Sequence, residues 1–330
     1  MRIDNPLFSN PGIGLGCMNL SHAYGAPLSE TEAIKALDAA FEMGYRHYDT
    51  ATLYGGGANE KLLGKALKTR RAQLFLASKC GMAIDRESGK KEIDGRPETL
   101  KRQCEESLRR LQTDCLDLYY LHRLDRQVGI EESVGALARL IDEGKIRAIG
   151  LSEISAATLA KAQTVHPIAA VQSEYSLWTR NPEIALLDAC HDSGTALVAF
   201  SPLARGFLTG SLRDIGALEP KDIRNNMPRF SPEHYAKNLT LLTAYERIAE
   251  AAGCSPAQLA LAWARSKGDF IVPIPGTRLI DHMRENLQAE HVVLERDVIA
   301  HLDALINQST VAGPRYSAAQ QAEIDTEEFV

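Results

Sequence analysis

Short apolar runs alternate with amphipathic stretches along the whole chain. The apolar runs lie near 13–16, 47–51, 74–80, 116–122, 146–152, 169–174, 196–201 and 270–274, and their lengths predict strands. Between and after them, residues near 30–43, 59–68, 98–111, 131–143, 155–164, 182–193, 240–252 and 280–288 carry apolar positions at helical spacing. Ser29 ahead of Glu32, Pro97-Glu98, Ser155 and Pro182 mark helix starts. Gly44, Gly144, Gly194 and Gly253 stand where helices should stop. The connections are too short for antiparallel pairing, and each parallel strand needs a crossover helix that also covers the outer face of the sheet. About eight such units predict an α/β fold closed as a (β/α)8 TIM barrel, one domain over residues 1–330.

The rival is an open doubly wound sheet, which Gly12-Ile13-Gly14-Leu15-Gly16 superficially suits. The spacing is not GxGxxG and no helix opens directly after it, so these glycines read as the first barrel strand, where small residues let the interior close. Two segments break the alternation. Residues 205–239 form a long excursion rich in Arg, Pro and Asn, of a length that marks a functional lid or a disordered loop. Residues 295–330 hold one more helix near 295–307 and then a polar tail.

The chain has 330 residues, 45% of them hydrophobic, enough for a large core. A formal net charge of −6 with no basic tract argues against nucleic acid or an anionic membrane surface as a partner. No charged segment leads into an apolar run at the N-terminus, and no apolar stretch approaches the roughly 20 residues of a membrane span. The six cysteines are scattered without a CxxC pair, which predicts reduced thiols and a cytoplasmic location. Cys80 beside Lys79 reads as a small buried residue rather than a tuned thiol.

The chemistry lies at strand ends. Side chains alternate faces along a strand, so His47 and Asp49 share a face, as do Phe75, Ala77 and Lys79, and Leu118, Tyr120 and His122. If those faces point inward, Asp49, Lys79 and His122 meet at the C-terminal mouth, where barrel active sites sit, and Tyr54 hangs over it from the next loop. A phenol with a pKa near 10 is a poor acid. A nearby ammonium favours the phenolate, and an aspartate keeps that ammonium charged. Taken singly, Asp49 could cap a turn, Lys79 could be a solvated charge and His122 a satisfied core histidine. Together they suit protonation of an oxygen that gains charge as hydride reaches carbon. No Ser–His–acid arrangement, HExxH or Cys/His ligand spacing is present, so neither acyl transfer nor metal catalysis is expected.

With Tyr48-Asp49-Thr50-Ala51-x-x-Tyr54-Gly55, Leu76-Ala77-Ser78-Lys79, Leu116-Asp117-Leu118-Tyr119-Tyr120-Leu121-His122, Ile149-Gly150-Leu151-Ser152, Val171-Gln172-Ser173-Glu174-Tyr175-Ser176, Phe200-Ser201-Pro202-Leu203 and Ile274-Pro275-Gly276-Thr277 in this order, the chain resembles the aldo-keto reductase superfamily from about Ile13 to Asn286. The resemblance implies an NADPH-dependent carbonyl reductase of the bacterial aldehyde/ketone branch, with Tyr54 as general acid, Lys79 and Asp49 as its tuning pair and His122 orienting the carbonyl. It implies Ser152 and Gln172 at the nicotinamide carboxamide and Phe200 stacked on the ring, where the family usually has tyrosine or tryptophan. Ser201, Leu203, Arg205 and Gly206 would run along the pyrophosphate, Gly276, Thr277 and Arg278 would open a helix onto the adenosine 2′-phosphate, and Glu285 and Asn286 would meet adenine. Glu153 stands where many members have Asn; a glutamate can accept from the carboxamide but not donate. His282 stands where some members place Arg on the phosphate, which keeps NADH open beside NADPH.

Candidate mouth-lining residues for a small-molecule carbonyl substrate are Met18, Asn19, His22, Tyr24, Met82, Arg123, Trp178 and the tail around Arg315-Tyr316. Met18 and Trp178 read equally well as packing residues. The alternative function is a cofactor-binding regulatory subunit resembling potassium-channel β-subunits.

Overall fold

Strand faces decide the layering, as the alternation in the sequence requires. The computed structural model describes residues 12–84 and 89–329; of the single domain expected over 1–330, residues 1–11, 85–88 and 330 lie outside the described residues. Eight strands pair in parallel in the order β1 (Leu15–Gly16), β2 (His47–Asp49), β3 (Phe75–Cys80), β6 (Leu118–Leu121), β7 (Ile149–Ser152), β8 (Ala170–Glu174), β9 (Ala196–Phe200) and β10 (Ile271–Ile274). Closure comes from Gly14 N–H donating to the Pro273 carbonyl at 3.0 Å, Gly16 N–H to that of Pro275 at 3.3 Å, and a parallel bridge between Gly16 and Gly276. The chain is a TIM barrel, not a doubly wound sheet. The glycines of the first strand serve this closure: a Cβ on Gly14 would come within 2.7 Å of His47 Nδ1 and 2.8 Å of the Ile274 side chain.

Two apolar clusters follow. Inward-facing Ala77, Leu118, Tyr120, Ala170, Ala196, Val198, Val272 and Ile274 fill the barrel. The outward faces of the same strands pack against the helices in one larger core containing Leu15, Leu76, Tyr119, Leu151, Val171 and Leu197. Helix ends obey the sequence signals. Ser29 and Glu32 form a reciprocal cap on Glu30–Met43, and Gly44 closes that helix with φ 114°, a conformation glycine adopts without strain.

The structure departs from the sequence reading in three places. The 205–239 excursion is not loop throughout: after a series of short turns, the Ser231-capped helix Pro232–Ala251 begins inside it. A further helix, Pro256–Ser266, follows immediately, capped by Ser255 and Gln258. Finally, β4 (Met82–Ile84) and β5 (Lys91–Ile93) form an antiparallel hairpin beside the mouth. Among the described residues no helix is long and apolar enough to cross a membrane.

Candidate active site

The β2–β3–β6 register brings the strand-end side chains together. Asp49 pairs in register with Ala77, and Lys79 with Tyr120, so the residues beyond them surface at one end of the barrel. Lys79 is fully buried and Asp49 almost so. The Lys79 ammonium forms an ion pair with Asp49 Oδ1, donates to the Thr50 carbonyl at 2.8 Å and reaches the Tyr54 hydroxyl at 3.2 Å. Asp49 Oδ2 accepts from Gln172 Nε2 at 2.8 Å, which ties the carboxylate to β8. Tyr54, beyond the end of β2, opens a turn in which Gly55 and Gly56 have φ of 58° and 61°, and its ring meets that of His122 edge-on with centroids 6.0 Å apart. Behind this group buried Asn59 accepts from Thr50 Oγ1 at 2.6 Å and donates to the Cys17 carbonyl and to Ser21 Oγ.

Burial and charge set the protonation states. Burial works against the Lys79 charge, but Asp49 and Tyr54 outweigh it and hold the ammonium above its ordinary value. Burial raises the Tyr54 phenol against the opposing pull of Lys79, so the net direction is upward, not the downward shift that the ammonium alone would produce. The hydroxyl is therefore a resident proton. Burial, then the charges of Arg123 and Lys79, push His122 well below the imidazole range, leaving a neutral ring. Burial also raises the Cys80 thiol, consistent with an inert packing residue.

Asp49, Tyr54 and His122 share one cavity of about 720 Å³. It runs from Asp49, Tyr54 and His122 past Ser152, Gln172 and Phe200, along Ser201, Leu203, Arg205 and Gly206, to Gly276, Thr277, Arg278, His282, Glu285 and Asn286. Two local features of this lining fit a dinucleotide. Ser201, Ala204 and Arg205 take φ between 49° and 57° although none is glycine, at a cost of roughly 1–3 kcal/mol each, in the loop where a pyrophosphate would lie. At the far end Asn286 Nδ2 is buried without a partner, a donor left for a ligand acceptor.

Several candidates sit otherwise than expected. Arg205 is turned away from a free anion-binding pose: its guanidinium donates to Glu174 Oε2 at 2.7 Å and to the hydroxyls of Tyr316 and Tyr24. Glu153 does not line the cavity. Arg315 Nη2 donates to its Oε2 at 2.6 Å, while Ser173 Oγ and the Glu174 N–H donate to its Oε1. Trp178 does not line the cavity; it stacks on Phe207 with centroids 4.3 Å apart and meets Phe230 edge-on, so it is a packing residue. Arg315 is likewise enclosed, and of the tail pair only Tyr316 reaches the cavity. Met18, Asn19, His22, Tyr24, Met82 and Arg123 do line it. Sequence reasoning missed Lys91, Gln320, Glu323 and Ile324, contributed by the hairpin and the tail.

Comparison with known proteins gives a consistent picture. The model of the Aldo/keto reductase family matches residues 12–307. The chain is 40% identical over 311 residues to the aldo-keto reductase yakc [NADP(+)] of Schizosaccharomyces pombe, covering 93% of this chain and 91% of that one. Among solved structures it resembles a glycerol dehydrogenase from Gluconobacter oxydans with a TM-score of 0.81 at 27% identity, covering 89% of this chain and 90% of that one. An aldo-keto reductase from Klebsiella pneumoniae in complex with NADPH aligns with a TM-score of 0.69 at 28% identity, covering 91% and 94%.

Proposed function

This chain belongs to the aldo/keto reductase family, and from that premise we propose that it is an NADPH-dependent enzyme reducing an aldehyde or ketone to an alcohol, with Tyr54 as the general acid. The observation that carries this reading is the Tyr54 hydroxyl 3.2 Å from a buried, aspartate-paired ammonium, on the wall of a cavity of about 720 Å³. When bound, the dihydronicotinamide supplies hydride to the carbonyl carbon. Tyr54 holds the proton for the carbonyl oxygen and releases it as negative charge develops there. Lys79 stabilises the phenolate left behind, and Asp49 keeps Lys79 charged and aimed. His122, kept neutral by its surroundings, offers a ring N–H that orients the same oxygen. Ser152 and Gln172 would hold the carboxamide, and Phe200 would stack on the ring. Because Glu153 is held by Arg315, it would not share in that contact.

Two relatives support NADP(H): the fission-yeast relative carries NADP(+) in its name, and the Klebsiella structure holds NADPH. Arg278 and His282, at the start of the helix Ile280–Gln288, suit an adenosine 2′-phosphate. The test is consumption of NADPH and of NADH across a panel of aldehydes and ketones. The expected result is carbonyl-dependent consumption, faster with NADPH, with the alcohol recovered as product. Tight NADPH binding with no turnover on any carbonyl would overturn it in favour of a cofactor-binding regulatory role.

A further inference from the structure

Most cations around the cavity are matched by carboxylates. Arg205 faces Glu174 at 2.7 Å, Arg315 faces Glu153 at 2.6 Å, Lys91 faces Glu323 at 2.5 Å and Arg224 faces Asp222 at 2.6 Å. Arg123 differs. It directly follows His122, is partly buried, lines the cavity, and forms no ion pair with any described carboxylate. Its charge acts on both Tyr54 and His122, which places it at the reacting end. Glu153 also feels that charge, but its oxygens are taken by Arg315, Ser173 and the Glu174 N–H.

The way Arg123 is held decides what it can still bind. Both of its hydrogen bonds leave from Nη1, to the His122 carbonyl at 2.6 Å and to Ser152 Oγ at 3.3 Å. Nε is buried without a partner, and Nη2 donates to no described residue. Nε–H and Nη2–H form one edge of the planar guanidinium, a fork that matches a carboxylate with two parallel hydrogen bonds. Nη1 therefore acts as the anchor and leaves this edge preorganised. A buried charged donor left unpaired is costly, and a carboxylate on the ligand would supply the partner that no described residue provides.

Resting on the reductase reading above, we propose that Arg123 is a specificity-determining residue that selects carbonyl substrates bearing a carboxylate. The carbonyl oxygen would meet Tyr54 and His122 while the carboxylate takes the Nε/Nη2 edge.

The test compares matched substrate pairs: succinic semialdehyde against butanal, and para-formylbenzoate against para-tolualdehyde, for the full chain with NADPH. In the wild type, kcat/KM for the carboxylate member should exceed that for its neutral partner roughly 10- to 100-fold. Arg123→Gln should bring that ratio to about one. Arg123→Lys, which keeps the charge but loses the fork, should retain a few-fold preference and serves if the glutamine variant does not fold. The readout is the ratio within each protein, so a general loss of activity does not mimic it. A wild-type ratio near one, or a high ratio that survives Arg123→Gln, overturns the proposal while leaving the reductase reading intact. If no carbonyl is turned over, the reductase reading fails. Calorimetric titration of the NADP+-mixed protein with para-(hydroxymethyl)benzoate against para-methylbenzyl alcohol then decides the Arg123 assignment: tighter carboxylate binding lost in Arg123→Gln supports it, and equal binding refutes it.

Discussion

Tyr54→Phe removes one oxygen from the site and little else. The ring keeps its contacts with His22, centroids 5.6 Å apart, and with His122 at 6.0 Å. Only the 3.2 Å hydrogen bond to Lys79 is lost, and Lys79 retains Asp49 and the Thr50 carbonyl, so stability should change by about 1 kcal/mol or less. The catalytic cost depends on what else could deliver a proton. His122 is held neutral, and a neutral imidazole is a far weaker acid than a phenol. Lys79 is held charged above its ordinary value by Asp49 and Tyr54 despite its burial, and it is committed to neighbouring oxygens. General acid catalysis contributes about 10²–10⁴ in rate. With no substitute donor in place, the upper half of that range applies, a loss of about 10³–10⁴ or roughly 4–5.5 kcal/mol of barrier. The assay is steady-state NADPH consumption at saturating carbonyl, with NADPH affinity measured by fluorescence titration. Affinity should stay within a few-fold. A kcat within about tenfold of wild type would refute the assignment of Tyr54 as the proton source.

Four further outcomes follow from the geometry. Asp49→Asn leaves the buried Lys79 ammonium without its counter-charge and should cost about 3–5 kcal/mol in denaturant unfolding; a loss below about 1 kcal/mol would show that the pair is not buried as described. Arg315→Met strands Glu153, while Glu174 keeps Arg205, and should cost a similar 3–5 kcal/mol, part of which Glu153→Gln should restore in the double variant. The same cluster sets an acid limit: burial opposes the Glu174 charge, but Arg205 and Arg315 bring its pKa down from 4.5 to about 2. Its stabilisation is therefore complete above 4.5 and lost as pH falls toward 2, a loss visible in wild-type acid unfolding and weakened in Arg315→Met. Gly150→Ala should destabilise the barrel by about 1–3 kcal/mol in thermal unfolding, because its Cβ would lie 2.3 Å from the Tyr120 ring.

Much of this architecture was legible because period-2 and helical patterns report burial directly. The eight barrel strands and Asp49, Lys79 and His122 at their ends follow from alternation alone, and Tyr54 from its place in the next loop. The helix Pro256–Ser266 escaped because seven of its positions, Ala257 and Leu259 through Ala264, are buried and leave no polar face for a helical period to show. Its signal was the cap, Ser255 followed three residues later by Gln258. The start of Pro232–Ala251 was likewise written in Ser231-Pro232-Glu233, inside a stretch whose other Pro, Arg and Asn residues read as loop. The Glu153–Arg315 pair spans 162 residues, a contact no local pattern encodes. The departure at Glu153 was visible, but its cause lies in the tail. Trp178 looked like a mouth residue because an aromatic beyond a strand end fits either a cavity wall or a packing cluster, and only the tertiary contacts with Phe207 and Phe230 decide between them.

The decisive measurement is the pH dependence of turnover in both directions on one carbonyl–alcohol pair, for the wild type and Tyr54→Phe. Reduction needs the protonated phenol and oxidation the phenolate, so reduction should fall and oxidation rise along one shared alkaline limb that vanishes in the variant. A limb that persists in Tyr54→Phe, or one lying in the imidazole range near 6.5, would place the proton on another group and contradict the site as assigned.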